Sequence, residues 1–307
     1  MQTDEIRTVD RDTIKPDTRR LYTRASLIAL AGNTLLVASK AYAAVVTNSS
    51  AVYADAANSA SDVAHSMLMG IGLWLSLRPP DEGHPHGHQR IEPLVSLFIG
   101  LMMGLAGFEA GRTAVSRLQE ASPWSPTPGA IVILFAGAAV KGAMFLATRS
   151  LGTQATSPAL LASAKDNLND IVSSVLAIAG LALGQLVPAA DTVSALVITV
   201  WIVYGAWTVI RESFHQMLGG SGTPELREAI VAQVSQISNV VEIDRVIMEY
   251  SGPKVYVDIH IRMDPATRLD EVHRTSHAVR EAVQSRREVD HAFVHVEPTI
   301  ETPKNAD

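Results

Sequence analysis

Acidic residues lie inside segments of this chain that are otherwise apolar. The stretch "ADAANSASD" places Asn58 and Asp62 four residues apart. A second stretch, "AKDNLND", repeats that spacing with Asp166 and Asp170. Residues four apart share one face of a helix. Three carboxylates and one amide oxygen are hard ligands of the kind that suits Mn²⁺, so the pattern predicts a divalent-cation site built from two helices.

The apolar surroundings make such acids expensive unless something neutralises them. A charged side chain at the centre of a bilayer costs about 2.5–3.5 kcal/mol on insertion scales, and three converging carboxylates add repulsion. Protonation would neutralise them, whereas a divalent cation would also satisfy their oxygens. The alternative interpretation is that these residues only form hydrogen bonds between helices, as Ser and Asn often do in membrane bundles.

Six apolar segments are long enough to position these residues in a membrane, since a spanning helix needs about 20 largely apolar residues. They are residues 25–46, 51–77, 91–114, 130–148, 158–186 and 193–210. Predicted helices two and five run in opposite directions, so Asp62 and Asp170 both fall near the midplane. We interpret Lys40, Glu109 and Lys141 as charges that reach the membrane surface or pair with other groups. A soluble bundle is the alternative, but six long apolar runs in succession argue against it.

The composition fits a membrane part joined to a soluble part. Hydrophobic residues make up 47% of the 307 residues, and the mean hydropathy is +0.17. The absence of Cys excludes disulfides, thiolate metal sites and Cys nucleophiles. A net charge of -6 argues against a nucleic-acid partner. Lys and Arg are concentrated on the side of the predicted helices that holds both termini, so both termini are expected to be cytoplasmic.

After residue 213 the long apolar runs give way to shorter elements. Residues 223–238 and 269–286 have helical periodicity. The segments "VEIDRVIMEY" and "KVYVDIHIRM" alternate and are joined at "SGP", which predicts a hairpin, and "HAFVHVEP" is a last strand. We therefore predict an α-helical membrane protein with six transmembrane helices and a C-terminal α+β cytoplasmic domain (αββαβ, metallochaperone-like). The expected boundaries are a tail 1–24, membrane domain 25–213, hinge 214–222, cytoplasmic domain 223–298 and tail 299–307.

These features together resemble the cation diffusion facilitator family of divalent-metal/proton antiporters. The matching stretches are "SSAVYADAANSASD", "HPHGHQRIEPLVSL", "SAKDNLND", "SGPKVYVDIHIRMD" and "HAFVHVEP". The resemblance covers nearly the whole chain. It implies a homodimer in the lipid bilayer of the plasma (inner) membrane, in which each protomer has its own transport site. That site would consist of Asn58, Asp62, Asp166 and Asp170.

The donor set of this site indicates which metal it carries. Zinc-transporting members of the family usually place His among the four positions, and this chain has none there. Oxygen ligands suit Mn²⁺, whereas imidazole suits Zn²⁺ and its neighbours. The set resembles that of the manganese-exporting bacterial branch, which implies Mn²⁺ export in exchange for protons, with Fe²⁺ next and Zn²⁺, Co²⁺ or Cd²⁺ behind.

Two other function classes remain open at this point. One is a metal-sensing scaffold that binds cations without transporting them. The other is an intramembrane hydrolase, which needs a nucleophile or a metal-bound water in addition to acids. Intact carboxylates in both helical pairs favour transport over both of these classes.

The loop after predicted helix two contains a second candidate site. In "DEGHPHGHQR", Asp81, His84 and His88 match a cytoplasmic metal site of zinc-transporting relatives, and the alternative is a solvated polar loop. Arg90 matches a basic position that relatives pair with an acid just after helix six. That acid is absent here, so the predicted salt bridge or gate at Arg90 is missing or uses Glu212.

The C-terminal domain contains a third candidate site. His260, His295 and Glu297 fall on strand faces where relatives build a metal site at the dimer interface, and His273 matches a helix position of that site. A regulatory Zn²⁺ or Mn²⁺ bound there would crosslink two C-terminal domains. The alternative is a set of surface histidines on a polar sheet face.

Overall fold

The protein, represented by a computed structural model, is described over residues 16–47, 50–119, 128–184 and 190–299. Six long helices come first: α1 (Pro16–Thr47), α2 (Ser50–Ser76), α3 (Ile91–Gln119), α4 (Pro128–Ala155), α5 (Pro158–Gly184) and α6 (Ala190–Met217). The elements that follow are α7 (Pro224–Val234), β1 (Glu242–Ser251), β2 (Lys254–Met263), α8 (Leu269–Gln284) and β3 (Val289–Pro298). The chain divides into two compact units, Met1–Phe214 and His215–Asp307.

The first unit is a bundle of the long helices. Helix α1 packs against α2 and α4, while α5 packs against α3 and α4. Close approach depends on small residues, because a Cβ on Gly107 of α3 would come within 3.0 Å of the Val203 side chain on α6. Large apolar side chains face outward, with Leu35, Phe108 and Trp207 60%, 69% and 62% exposed. Such an apolar exterior is favourable against lipid and unfavourable against water.

Three of the long helices are apolar enough to cross a membrane, judged by length and composition within the described residues. They are the stretches Asp17–Tyr42, Ile91–Glu109 and Leu196–Met217. They belong to α1, α3 and α6. The other three predicted spans are helical over most of their length, but their crossing of the membrane stays a prediction.

Two helix boundaries differ from the sequence-based expectation. Helix α1 begins at Pro16, well before residue 25, because proline suits the first turn and Asp17 interacts favourably with the helix dipole there. Helix α4 continues through residues expected to form a loop from 149 onward. The turn into α5 is only Thr156 and Ser157. Thr156 has a positive φ of 51°, and the Ser157 hydroxyl accepts a hydrogen bond from the first turn of α5 at 3.2 Å.

The second unit has the predicted order of helix, strand, strand, helix, strand. Strands β1 and β2 form the predicted antiparallel hairpin, and Gly252 supplies the positive φ of 78° that its turn requires. Strand β3 pairs with β2 in parallel, so β2 is the central strand. A parallel pair needs a crossover connection, which α8 provides.

One face of this sheet is the core of the second unit. The alternating residues of β2 that the sequence assigned to the core, Val255, Val257, Ile259 and Ile261, are at most 2% exposed. Buried side chains of α7 and α8 belong to the same core, among them Ile230, Val279 and Val283. The opposite face of β2 therefore holds its polar residues, including His260.

Candidate metal centre

Helices α2 and α5 bring the predicted acids of the first unit together. Asp62 and Asp166 each offer a carboxylate oxygen, and these two oxygens and a ring nitrogen of His65 all lie within 4.8 Å of one another. All three residues are partly buried. Because Asp62 and His65 are on α2 while Asp166 is on α5, the group joins the two helices that the repeated spacing indicated.

The third predicted acid, Asp170, meets Asp62 through a lysine on a different helix. The Lys141 ammonium on α4 lies 2.8 Å from Asp62 Oδ2 and 2.7 Å from Asp170 Oδ2. The Lys141 side chain is only 8% exposed, against 14% for Asp62 and 36% for Asp170. Three helices are therefore linked by one nitrogen between two carboxylates, and the predicted role of Lys141 as a pairing group is confirmed.

Hydrogen bonds from α1 fix the backbone at Asp62. The Asn33 side-chain amide donates to the Ser66 hydroxyl at 2.8 Å and to the Asp62 carbonyl at 3.3 Å. The Ser66 hydroxyl in turn donates to the Asp62 carbonyl at 2.9 Å. Asn33 and Ser66 are 5% and 6% exposed. Such a buried polar network restricts rotation of α2 and so holds the Asp62 carboxylate in its orientation.

The described group at Asp62 differs from the predicted donor set in two of its members. The Asn58 side chain lies outside the described residues, so its participation stays a prediction. The expected donor set consists of oxygen atoms alone, and in the described group a ring nitrogen of His65 also lies within reach of the same ion. Which of these atoms bind a metal stays a prediction. The sequence contained a signal for this nitrogen, since His65 follows Asp62 by three residues and therefore shares its helix face.

A buried acid that the sequence analysis missed lies in the first turn of α3. Glu92 is 1% exposed. Its carboxylate accepts a hydrogen bond from the Tyr22 hydroxyl at 2.5 Å and another from the Ser157 hydroxyl. These contacts join α1, α3 and the turn between α4 and α5. With both oxygens hydrogen-bonded, Glu92 connects helices and does not belong to the Asp62 group.

The loop between α2 and α3 forms the second predicted cluster. Ligand atoms of Asp81, His84 and His88 lie within 4.8 Å of one another. Asp81 Oδ1 accepts hydrogen bonds from the His84 backbone N–H at 2.7 Å and faces the His84 ring Nδ1 at 3.1 Å. His88 Nε2 lies 3.4 Å from Asp81 Oδ2. Arg90 is exposed just before α3, and its salt bridge stays a prediction.

The sheet of the second unit forms the third cluster. The parallel register places His260 opposite His295 and Arg262 opposite Glu297. His260 Nδ1 and His295 Nε2 each lie 3.5 Å from Glu297 Oε1. Within the described part of the chain His273 is not a member of this group, because it lies on α8 with its ring 4.4 Å from that of His277.

Known proteins that resemble this chain cover nearly all of it. Residues 26–218 match the family described as "Cation efflux transmembrane domain", and residues 223–299 match "Cation efflux protein, cytoplasmic domain". The manganese efflux system protein MneS of Bacillus subtilis is 29% identical over 89% of this chain and 94% of its own length.

Two further Bacillus subtilis proteins are similar over comparable lengths. The uncharacterized transporter YdbO is 31% identical over 90% of this chain and 95% of its own. The manganese efflux system protein MneP is 26% identical over 91% of this chain and 96% of its own. The long helices and the acids that they bring together agree with these matches. The chain therefore belongs to the cation efflux family of membrane transporters, also called the cation diffusion facilitator family, which its motifs resemble.

Proposed function

We propose that this protein exports divalent metal cations, with Mn²⁺ as the preferred substrate, from the cytoplasm in exchange for protons. The observation that carries the proposal is the convergence of Asp62, Asp166 and Asp170 from α2 and α5 inside an apolar helical bundle. Acids held together in such a place are costly unless a cation binds to them. The transporter would work as a homodimer in the plasma (inner) membrane, with both termini cytoplasmic.

The exchange of metal for protons follows from the ligand chemistry. A carboxylate must lose its proton to coordinate a metal, so metal and protons compete for the same oxygens. With the site open to the cytoplasm, the cation displaces protons from Asp62, Asp166 and Asp170. After the helices rearrange to open the site outward, the cation leaves and protons return. Proton entry then drives cation export.

The preference for Mn²⁺ rests on carboxylates and on two relatives. MneS and MneP are both named manganese efflux proteins, and carboxylate oxygens suit Mn²⁺. The imidazole of His65 supports a second candidate, export of Fe²⁺ or Zn²⁺, because nitrogen ligands suit those metals. The ratio of Mn²⁺ to Zn²⁺ flux in a His65→Ala variant separates these two candidates. An unchanged ratio would show that His65 does not contribute to selectivity, and a shift toward Mn²⁺ would show that it does.

A flux assay in proteoliposomes tests the function. We expect Mn²⁺ uptake driven by a pH gradient in the wild type, and none above protein-free vesicles in Asp62→Ala, Asp166→Ala or Asp170→Ala. Glu109→Ala is the matched control, because this acid also lies on a long helix but is 57% exposed and paired with Arg112. Wild-type rates in any of the three aspartate variants would overturn the site.

The same assay distinguishes transport from a metal-sensing scaffold. A scaffold would bind Mn²⁺ at equilibrium and show no flux under any gradient. Flux down a metal gradient that moves no protons in the opposite direction, followed with a pH-sensitive dye inside the vesicles, would argue against proton exchange, while leaving cation transport in place.

A further inference from the structure

We propose that Lys141 is a tethered counter-cation of the transport site, which occupies the ligand oxygens when metal is absent and which the metal must displace. The inference rests on the proposed function, because it takes Asp62, Asp166 and Asp170 as the metal ligands. It assigns a role to a residue on α4, which carries none of the predicted ligands.

The position of the ammonium is the first argument. Lys141 Nζ lies 2.8 Å from Asp62 Oδ2 and 2.7 Å from Asp170 Oδ2. A metal ion that coordinates both of these oxygens has to lie between them at roughly 2.0–2.6 Å. The ammonium nitrogen already fills that space. Metal and ammonium therefore exclude each other from these two oxygens, by volume and by the repulsion between two cations.

The burial of the lysine is the second argument. The Lys141 side chain is 8% exposed, so it is not a charge that extends along the bundle to reach water. Removing one partner from a buried ion pair leaves an uncompensated charge, which is strongly unfavourable. Once displaced, the ammonium must stay close to carboxylates, and the tether of the α4 backbone keeps it available to return.

The sum of charges is the third argument. Three carboxylates and one ammonium leave two negative charges at the site, and a divalent cation cancels both. A monovalent cation leaves one negative charge in a low-dielectric environment, where it is costly. Lys141 therefore favours a double charge on the transported ion, and it leaves the emptied site with two negative charges that returning protons can neutralise.

A second lysine on a neighbouring helix provides a comparison. Lys165 on α5 directly precedes Asp166, but its ammonium donates to the Thr208 hydroxyl of α6. Lys165 is therefore close to the site in sequence without lying between two of its acids. Loss of its charge should affect metal binding less than loss of Lys141.

The experiment measures equilibrium binding of Mn²⁺ alone to the full chain in lipid nanodiscs by isothermal titration calorimetry. The transport-site component is the part of the signal that Asp166→Asn removes. We expect Lys141→Gln to bind Mn²⁺ in this component about tenfold or more tightly, since a competing charge is gone. Lys141→Arg keeps the charge and should bind equally or more weakly, and Lys165→Gln should change affinity less than Lys141→Gln.

The results show whether Lys141 competes with the metal and whether the acids form the metal site. Affinity in Lys141→Gln that equals or falls below the wild type would overturn the proposal. If that variant does not fold, Lys141→Arg still decides, because tighter binding with the charge retained is incompatible with displacement. If Asp166→Asn removes no Mn²⁺ signal from the wild type, the site assignment itself fails, which is a different result from an unchanged Lys141→Gln.

Discussion

The aspartate cluster in the long helices and the His260 cluster on the sheet both gather ligands from separate elements, but they balance charge differently. In the helices, two acids share the ammonium of Lys141, which is 8% exposed. On the sheet, Glu297 lies 3.5 Å from each of two imidazoles, with the His295 side chain 59% exposed. A fixed positive charge is built into the first cluster, whereas water reaches the second.

The charges of a buried acidic cluster and of an exposed one need different compensation. In the apolar bundle, carboxylates without a partner are costly, so the protein supplies a cation that a metal can replace. On the exposed sheet face, solvent screens the charges, and ion pairs there contribute little to stability. We therefore expect substitutions in the helices to affect both transport and folding, and substitutions on the sheet to affect metal binding alone.

The largest contrast is expected in flux from two charge-removing substitutions of similar size. Asp170→Asn should reduce Mn²⁺ flux to the level of protein-free vesicles, because it removes a proposed ligand and a partner of Lys141. Glu297→Gln should leave flux close to the wild-type rate, because Glu297 is outside the bundle. Proteoliposome uptake under a pH gradient measures both. Equal losses in the two variants would remove the distinction between the clusters.

Stability in the absence of metal should show the next contrast. Lys141→Gln should lower the free energy of unfolding of the metal-free protein by about 3 kcal/mol or more, since it leaves buried acids unpaired. Arg262→Gln should have little effect. Its guanidinium donates to Glu242 at 2.9 Å and contacts Asp244, but the arginine side chain is 33% exposed.

Thermal unfolding in detergent, with and without Mn²⁺, measures this second contrast. Added Mn²⁺ should stabilise Lys141→Gln more than the wild type, because the metal then supplies the missing positive charge. A Lys141→Gln variant as stable as the wild type without metal would show that the ammonium is not needed to neutralise the acids.

The sequence predicts those features of the structure that repeat with the period of a helix or a strand, and it misses those that do not. The alternation in β2 predicted the buried face of Val257 and Ile259. The long apolar runs predicted helices α2 and α5, and the repeated four-residue spacing predicted that their acids face one site. Lys141 is a single charge on α4 with no spacing to interpret. Its place between two acids depends on the rotation of α4 against α2 and α5, which packing determines.

The parallel pairing of β3 with β2 likewise cannot be inferred from sequence periodicity. Alternation identifies a strand but not the direction of its neighbour, so the register that sets His260 opposite His295 was not predicted. His273 was assigned to the same site from a family position, and the structure places it beside His277 on α8, so its role as a ligand stays a prediction. In both cases the deciding information is how elements pack.

Metal binding on the sheet should show a smaller effect. His295→Ala should weaken Zn²⁺ binding at that cluster by at least about 10–100-fold, the usual loss for an outer-shell group, because His295 would itself be a ligand. His273→Ala is the matched control and should change Zn²⁺ affinity less. Calorimetric titration of the full chain with Zn²⁺ compares them. A larger loss in His273→Ala would indicate a site that uses α8 instead of the β2–β3 pair.

The smallest expected effect is on the pKa of Asp81, in the loop between α2 and α3. Its carboxylate is exposed, as is the His295 side chain of the sheet cluster. Desolvation acts to raise the pKa of Asp81, but hydrogen bonds from the backbone and ring of His84, with the nearby imidazole of His88, together outweigh it and lower the pKa. A group with a lowered folded pKa stabilises the protein above its unfolded value of about 3.9 and loses that contribution as the pH falls through the folded value.

An NMR titration of labelled Asp81 should therefore show a midpoint below about 3.9 in the wild type and one closer to that value in His84→Ala. A wild-type midpoint at or above it would contradict the contacts. Near neutral pH the carboxylate is then charged and ready for a metal, whereas oxygens of Asp62 and Asp170 lie against the Lys141 ammonium. The two regions differ in the group that stabilises that charge: in the loop it is the imidazoles that would themselves bind the metal, so no counter-cation has to leave first.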